Sequence, residues 1–469
     1  MTITHDTPLS QRGKQLLFET DWLASSPVFY NLPLGLASTA IQEVLSSAKT
    51  LVFDPEALYN YLDFGYSVFE QTPVKDLQFM RHSSRLWRND TGALEVEYLD
   101  DPFEKYIDFK LSESDVIDLI QERVRAWEAS VPSDQEIVLP LSGGFDSRLL
   151  LWCLRDKSRV RAYTYGLSAN QDLSTEVVHA QALAKRFGVR WERVPLGDFH
   201  NYFENWDAEF GPSTHAHGMY HFEFYSKIRE RMKGRHAFLS GIIGDAWAGS
   251  ILPRVVSGSK DLLQLGYTHG LRADPNCLNF QREHVIREQF WNQNKGLLGY
   301  HRFQIVTSMR LKLMLLSYLI RVPRLFNFES WSPYLDIDIA MAMLNLPQHR
   351  RVNRQWQRDF FAKVGLDLEG QGLKSVRSNT LDFQALKKQP LRPLEVNILG
   401  ELLDPSYVSW INNALKVTSV TTIKQRVLSI PKLGGLVRKI GLKNETMSAY
   451  SAYLCIRPIE NLIRSRVTK

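Results

Sequence analysis

Cysteine is scarce in this chain: Cys153, Cys277 and Cys455 are the only three among 469 residues, and they lie far apart. That spacing excludes a disulfide-stapled secreted module and a clustered structural metal site, and it suits a reducing cytoplasm. Long apolar runs are lacking as well. No stretch approaches the roughly 18 uninterrupted apolar residues of a membrane span, and the opening MTITHDTPLSQRGK has no signal-peptide core. Internal repeats and low-complexity tracts are absent, which excludes solenoids and disordered linkers. What remains is an ordinary soluble composition, 44% hydrophobic and 23% charged, with length enough for two or three domains.

Acidic residues are thin in one place. From Lys416 to Lys469 there are eleven lysines and arginines against two glutamates. The preceding residues are then slightly acidic overall, so nothing points to a nucleic-acid partner. The tail's apolar interleaving, as in RVLSIPKLGGLVRKIGLK (426–443), suits contact with anionic lipid or a phosphorylated, lipid-linked substrate at the inner face of a membrane. A solvated helical surface closing a domain is the plainer alternative. The expected location is the cytoplasm, and a homodimer is compatible with all of this.

Residues 13–110 read as short strands and turns with one helix. KQLLFETDWLASSPVFYN (14–31) alternates like a hairpin, and DPEALYNYLDFGYSVF (54–69) is a helix with Asp54 as N-cap and Pro55 at its first position. From Ser112 an amphipathic helix begins, with acids in its first turn. Strands and helices then alternate: EIVLPL, SRLLLWCLRD, RVRAYTYGL, STEVVHAQALAKRFG, RWERVPL, YHFEFYSKIRERMKG, HAFLSG. Strands separated by helices of this length predict a parallel sheet covered on both faces. Helices dominate from about residue 280.

One turn in this alternation carries chemistry. Between the strand at 136–141 and its helix stands Ser142-Gly143-Gly144-Phe145-Asp146-Ser147. Backbone N–H groups at a helix N-terminus attract an anion, and the glycines let a phosphate approach closely. Ser142 and Ser147 add hydroxyl donors. The Asp146 carboxylate would repel a bare phosphate, so it implies a cation between them, most simply Mg²⁺. A Walker loop is excluded because no Gly-Lys-Ser/Thr occurs here, and the dinucleotide fingerprint because its glycine spacing is missing.

The S-G-G-x-D-S loop after a strand resembles the pyrophosphate loop of ATP pyrophosphatases. Two further blocks, HAFLSGIIGDAWAGS (236–250) and FESWSPYLDIDIAMAMLNLP (328–347), follow in order. Together the three resemble the synthetase domain of the asparagine synthetase family, with Glu329, Pro333, Tyr334, Leu335, Asp336 and Leu346-Pro347 in register with its last block. The closing YLCIRPIENLIR is similar to that family's final helix. ETDWLASSPVFYNLPLGLAST and ALYNYLDFGYSVFEQTPVKDLQFM resemble the second half of its N-terminal glutaminase and the connection beyond it. The resemblance implies an α/β fold: a β-rich remnant of an Ntn-hydrolase glutaminase over 1–111, then an ATP-pyrophosphatase synthetase domain (adenine nucleotide alpha hydrolase-like) over 112–469. The latter has a parallel sheet, a helical C-terminal part and the basic segment 416–469. The family's nucleophile is an N-terminal Cys, whereas this chain starts Met1-Thr2, so no glutaminase activity is expected and ammonia or an amine comes from solution or a separate glutaminase.

By the same resemblance Asp146 and Asp245 are the Mg²⁺ carboxylates, and Ser142, Gly143, Gly144 and Ser147 hold the pyrophosphate of ATP. Tyr165, Ser240 and Gly241 border the nucleotide. The family's late lysine, which neutralises the leaving pyrophosphate, maps first to Lys374, with Lys387 and Lys388 as rivals. Departures stand at Ile242 and Ala246, where relatives carry acids, and at Trp331 in place of an arginine, which implies a changed substrate pocket. His215, His217 and His221 lie nearby. They could ligate a metal, His217 could act as a general base, or the cluster could simply pack.

The resemblance implies an ATP-dependent carbon–nitrogen ligase that adenylates a carboxylate and transfers ammonia or an amine to it. A uronic acid in bacterial surface-polysaccharide synthesis is the expected substrate, with Trp206, Tyr220, Trp247 and Trp331 suited to a sugar pocket. A peptide or β-lactam ring-closing cyclase is the alternative within the family, and a non-catalytic nucleotide-binding relative the alternative outside catalysis.

Overall fold

The computed structural model describes residues 10–11, 13–48, 50–107, 109–266, 271–280, 284–429 and 444–467. Its N-terminal part holds two antiparallel sheets built from β1 (Ser10–Gln11), β2 (Lys14–Glu19), β3 (Phe29–Asn31), β4 (Leu36–Ser38), β5 (Gln78–Phe79), β6 (Ser84–Asn89) and β7 (Leu94–Tyr98). One sheet has the order β1-β2-β6-β7, the other β4-β3-β5. The hairpin expected over 14–31 does not form, because β2 pairs with β6 and β3 with β4 and β5. The cause is local: the Asp21 carboxylate accepts from the N–H of Leu23 (2.8 Å) and Ser25 (3.1 Å), and Ala24 takes φ +55°. This side-chain turn sends the chain out of the first sheet into the second.

Helix starts follow the chemistry read from the sequence. Asp54 accepts from the Ala57 N–H at 2.8 Å, with Pro55 leading the helix Pro55–Phe64. Ser112 and Asp115 form a reciprocal capping box on the helix Glu113–Ser130.

The second sheet system is parallel. It contains β8 (Ile137–Pro140), β9 (Val160–Thr164), β10 (Arg190–Arg193), β11 (His236–Leu239) and β12 (Phe328–Trp331), in the order β10-β9-β8-β11-β12. Val138 stands opposite Phe238, and Leu139 opposite Ala162. The chain winds outward from β8 through β9 to β10, then returns to β11 on the other side. Strand order therefore reverses between β8 and β11, and the loops that leave these two strands diverge. A crevice at such a switch point is where open α/β sheets bind ligands.

The main hydrophobic core runs from Trp22, Leu23 and Phe29 into the parallel sheet, while Val28, Tyr30, Met80, Leu86 and Leu94 form a separate cluster within the N-terminal sheets. Trp22 donates its indole N–H to the Leu335 carbonyl at 2.9 Å, and its ring stands 5.7 Å from that of Trp247. Arg310 closes the same junction with bonds of 2.6 and 2.8 Å to Asp101 and one of 3.0 Å to the Trp22 carbonyl. The N-terminal part thus braces the segment that follows the β11 loop.

Among the described residues no helix is long and apolar enough to cross a membrane. Most of the basic stretch 426–443 lies outside the described residues. The helix Glu445–Val467 beyond it is packed rather than solvated: Leu454, Cys455 and Ile456 are buried, and Arg457 and Arg464 pair with the buried Glu460.

Candidate active site

Past β8 the chain turns through Ser142, Gly143 and Gly144 into the helix Phe145–Cys153, with Gly144 at the N-cap. No side chain caps this helix, so its first-turn N–H groups remain free for an anion. Gly143 has φ +70°, and a Cβ there would stand 2.3 Å from His179 Cβ, so glycine is required twice over. The hydroxyls of Ser142 and Ser147 lie 3.3 Å apart. Arg148 fixes the turn from behind. It is fully buried, donates to the Gly143 carbonyl at 2.8 Å and the Leu366 carbonyl at 2.9 Å, and grips Glu369 with two bonds of 2.9 and 3.0 Å.

The loop after β11 comes against this turn. Ser240 is tied to the end of β12 by its N–H on the Trp331 carbonyl at 2.8 Å. A Cβ on Gly244 would lie 3.0 Å from Asp146 Cγ and 2.8 Å from the Tyr334 ring, and one on Gly241 would lie 3.5 Å from Asp146 Cβ. At Gly244 only glycine lets the two loops close to this distance, whereas at Gly241 a side chain would meet an ordinary contact. Ile243 between them adopts φ +54°, a strained state for a β-branched residue. Asp245 is exposed, with its carboxylate accepting from the Ser250 hydroxyl at 2.8 Å.

Burial, reinforced by the Asp245 charge, pushes the Asp146 carboxyl up to about 7, while the nearby Arg354 charge pulls it back. Among the described residues Asp146 Oδ1 is buried without a well-formed hydrogen bond, although the fully buried Gln357 amide and the Asp245 N–H stand close enough to favour its charged form. A buried carboxylate oxygen without a well-formed hydrogen bond fits a hard divalent cation. Among the described residues no group of three or more His, Cys, Asp or Glu side chains converges into a metal cage. Two carboxylates alone suit a cation whose remaining ligands are phosphate oxygens and water.

The two loops thus bring together Ser142, Gly143, Gly144, Asp146, Ser147, Ser240, Gly241 and Asp245. Tyr165 follows β9 directly but turns its hydroxyl to His221 Nε2, 3.3 Å away. His217 Nε2 pairs with Asp382 at 3.1 Å. Burial alone would lower its pKa, but the Asp382 charge and hydrogen bond outweigh burial and raise it. His215 and His221 are buried away from water, which drives both down to about 3. Lys374 and Lys387 are exposed, and Lys388 pairs with Asp198 at 2.6 Å. Lys374 sits in a strap joined to the start of the helix Thr175–Phe187 by the Thr175 and Val376 backbone bonds.

Several aromatic expectations are corrected. Trp206 and Trp247 are fully buried, Trp206 stacked on Phe210 and Trp247 donating to the Tyr334 carbonyl at 2.9 Å, so both are core. Tyr220 places its hydroxyl 3.3 Å from that of Tyr318, inside a cluster of rings. Trp331 stacks on Trp127 at 5.1 Å, against the helix that covers the sheet rather than in the crevice. Ile242 is 3% exposed and faces the core, so this loop presents no proton acceptor in place of an acid.

Arg354, Gln357 and Lys312 escaped the sequence reading because no motif surrounds them. Arg354 lies over the Phe145 ring at 4.7 Å, with Arg358 at 5.2 Å. Asn353 and Arg354 both take positive φ, +53° and +57°. The segment is wedged against the turn after Asp245, where a Cβ on Gly249 would meet the Arg351 carbonyl at 2.0 Å. A cavity of about 780 Å³ also opens among the C-terminal helices, but no residue of the two loops lines it.

No curated protein matches the chain. Among solved structures, an NH3-dependent NAD synthetase from Campylobacter jejuni, in complex with nitrate, is 15% identical; the match covers 52% of this chain and 97% of that one, at a TM-score of 0.22. A glutamine-dependent NAD+ synthetase from Acinetobacter baumannii, in complex with ADP, is 14% identical over 54% of this chain and 50% of that one, at 0.20. Likenesses this slight decide nothing about function. The asparagine synthase family model, by contrast, matches residues 118–364, more than half of the chain and all of the parallel sheet with both loops. The chain belongs to the asparagine synthase family, and is an ATP-dependent ligase.

Proposed function

We propose that the protein adenylates a substrate carboxylate and passes the acyl group to ammonia or an amine. The observation that carries this reading is the closure of the Ser142–Ser147 turn on the Ser240–Asp245 loop, with a buried carboxylate oxygen between them left without a well-formed hydrogen bond. In the first step a carboxylate oxygen attacks the α-phosphorus of ATP, the bond to the bridging oxygen breaks, and pyrophosphate leaves with its electron pair. In the second the amine attacks the acyl carbon, AMP departs, and the nitrogen gives up a proton.

The helix N-terminus and the two serine hydroxyls orient the β- and γ-phosphates. Asp146 and Asp245 would hold Mg²⁺, which supplies charge neutralisation to the phosphates. Arg354, beside Asp146, faces the same negative charge. His217, raised and held by Asp382, is the proton acceptor of the second step in this reading. The three thiols are buried and pushed up, Cys153 and Cys277 to about 12 and Cys455 further, so none is a thiolate nucleophile for glutamine.

A uronic acid carried on an anionic lipid or nucleotide is the acceptor we favour. With the tryptophans in the core, what supports the anionic carrier, and not the position of the reacting carboxylate, is the basic and apolar lining of the C-terminal cavity, where Lys387, Lys416 and Arg426 stand beside Leu391, Leu415 and Ile423.

Labelled ATP with Mg²⁺, candidate carboxylates and ammonia tests the reading. AMP and pyrophosphate are expected only with the true carboxylate. ATP binding without AMP for any carboxylate and amine would leave a nucleotide-binding protein and refute the ligase. Glutamine hydrolysis by the pure chain would overturn the assignment of the nitrogen source.

Arg354→Ala is expected to weaken Mg·ATP about tenfold or more, the scale of a lost charge-assisted contact. AMP, which lacks the outer phosphates, should bind nearly as before. Calorimetric titration with both nucleotides reads the difference.

A further inference from the structure

Lys312 has no role in the chemistry above, yet it is placed with care. It sits on the helix His301–Leu316, half-buried, and its ammonium forms no hydrogen bond or ion pair among the described residues. Gln304, Ser308 and Lys312 are spaced by four and share one helix face. At the near end of that face the buried Gln304 clamps Arg254, accepting from its N–H at 3.0 Å and donating to its carbonyl at 2.9 Å. Lys312 stands about 12 Å further along. Asp245 and Arg254 are the charges it feels, and burial with Arg254 lowers it against the pull of Asp245.

The helix face thus lies along the segment from Asp245 to Arg254, joined to it at Gln304 and facing the Asp245 charge at Lys312. Among the described residues neither the half-buried Lys312 nor the exposed Arg254 has a carboxylate bonded to it. A half-buried ammonium without an acceptor loses part of its hydration with nothing in return, a cost that an anionic ligand would offset. Flanking Arg254, Leu252 and Val255 are 53% and 82% exposed, an apolar lip uncovered among the described residues.

We infer that Lys312 and Arg254 form the acceptor subsite, which takes an anionic carboxylate carried on a body with an apolar face, the face resting on Leu252 and Val255. The inference rests on the ligase reading, since only a carboxylate held beside Asp245 is within reach of the α-phosphate. It adds what that reading leaves open: which side of the crevice the acceptor enters, and what its surface must be.

Binding of hexanoate, with hexanol as the uncharged control, tests it in the full chain with Mg²⁺ and α,β-methylene-ATP present. Hexanoate should bind at least tenfold more tightly than hexanol. Lys312→Met should remove that advantage while leaving hexanol and the nucleotide analogue unchanged, and Lys312→Arg should restore it. Val255→Asp should weaken both probes. Equal binding of the two probes to the wild type, or a Lys312→Met variant that keeps the preference, overturns the subsite. A Lys312→Met variant that loses the nucleotide analogue instead moves Lys312 to the phosphates and overturns it equally. Failure of the wild type to bind the nucleotide analogue at all would strike the ligase reading itself.

Discussion

Asp146→Asn is expected to abolish AMP formation and at the same time to raise the melting temperature of the ligand-free protein at neutral pH. Burial and the Asp245 charge raise this carboxyl from 3.8 to about 7. Between about pH 4 and 7 the unfolded chain has released the proton that the folded chain still holds. Stability therefore falls as pH rises across that window and is level above it. The whole shift corresponds to roughly 4 kcal/mol as an upper bound, and asparagine, with nearly the same shape, carries none of it. Melting curves without ligand should coincide near pH 4 and separate by several degrees at pH 8, the variant being the more stable. Mg·ATP should then raise the wild type alone. In the wild type, Mg·ATP affinity should strengthen as pH rises toward 7 and level off beyond. Equal melting of the two proteins at pH 8 would show that Asp146 bears no burden in the empty site. In the proposed reading the same burial that makes the carboxylate costly would make it effective, because a cation and a polyphosphate would relieve what the protein itself does not.

Much of this site was legible in the sequence because its chemistry is local. A strand, two glycines, two hydroxyls and a carboxylate occupy eleven residues, and the second loop repeats the pattern after β11. Glycines that permit close approach are visible as letters, and so are helix caps such as Asp54 and Ser112. Contacts made across the fold are not. Arg354 reaches Asp146 only through the turn at Asn353, and Lys312 reaches Asp245 from a helix with no motif of its own. The edge strand β12 was hidden because Phe-Glu-Ser-Trp is short and half polar: Glu329 faces solvent and pairs with Arg235. The tryptophans misled for a related reason. An aromatic ring fits a core or a sugar equally well, and only packing separates the two.

Arg148→Met is expected to destabilise the fold by about 3 kcal/mol and to weaken Mg·ATP beyond what the lost stability explains. The side chain is fully buried between the Phe145 and Phe361 rings, 5.0 and 4.9 Å away, where methionine keeps most of the apolar contact. What disappears is the guanidinium and its bonds to Gly143, Leu366 and Glu369. Breaking one side of a buried pair typically costs about 3–5 kcal/mol. The lower end applies here, because Glu369 is 33% exposed on its side chain and regains water. Glu369 is burdened by burial and held low by Arg148, so the pair's contribution is present at neutral pH and lost as the pH falls through the lowered value. The functional part follows from the Gly143 carbonyl. Arg148 holds it at 2.8 Å, and that bond fixes the direction of the following N–H groups, which the proposed reading assigns to the phosphates. Glu369→Gln keeps an acceptor and leaves that bond alone, so it should lose some stability with little change in nucleotide affinity. In the double variant the two stability losses should fall short of their sum, as expected for partners in one contact. Denaturant midpoints and Mg·ATP titrations on the four proteins separate the two effects. An Arg148→Met protein that binds Mg·ATP as the wild type does would show that the phosphate turn holds its shape without the arginine behind it.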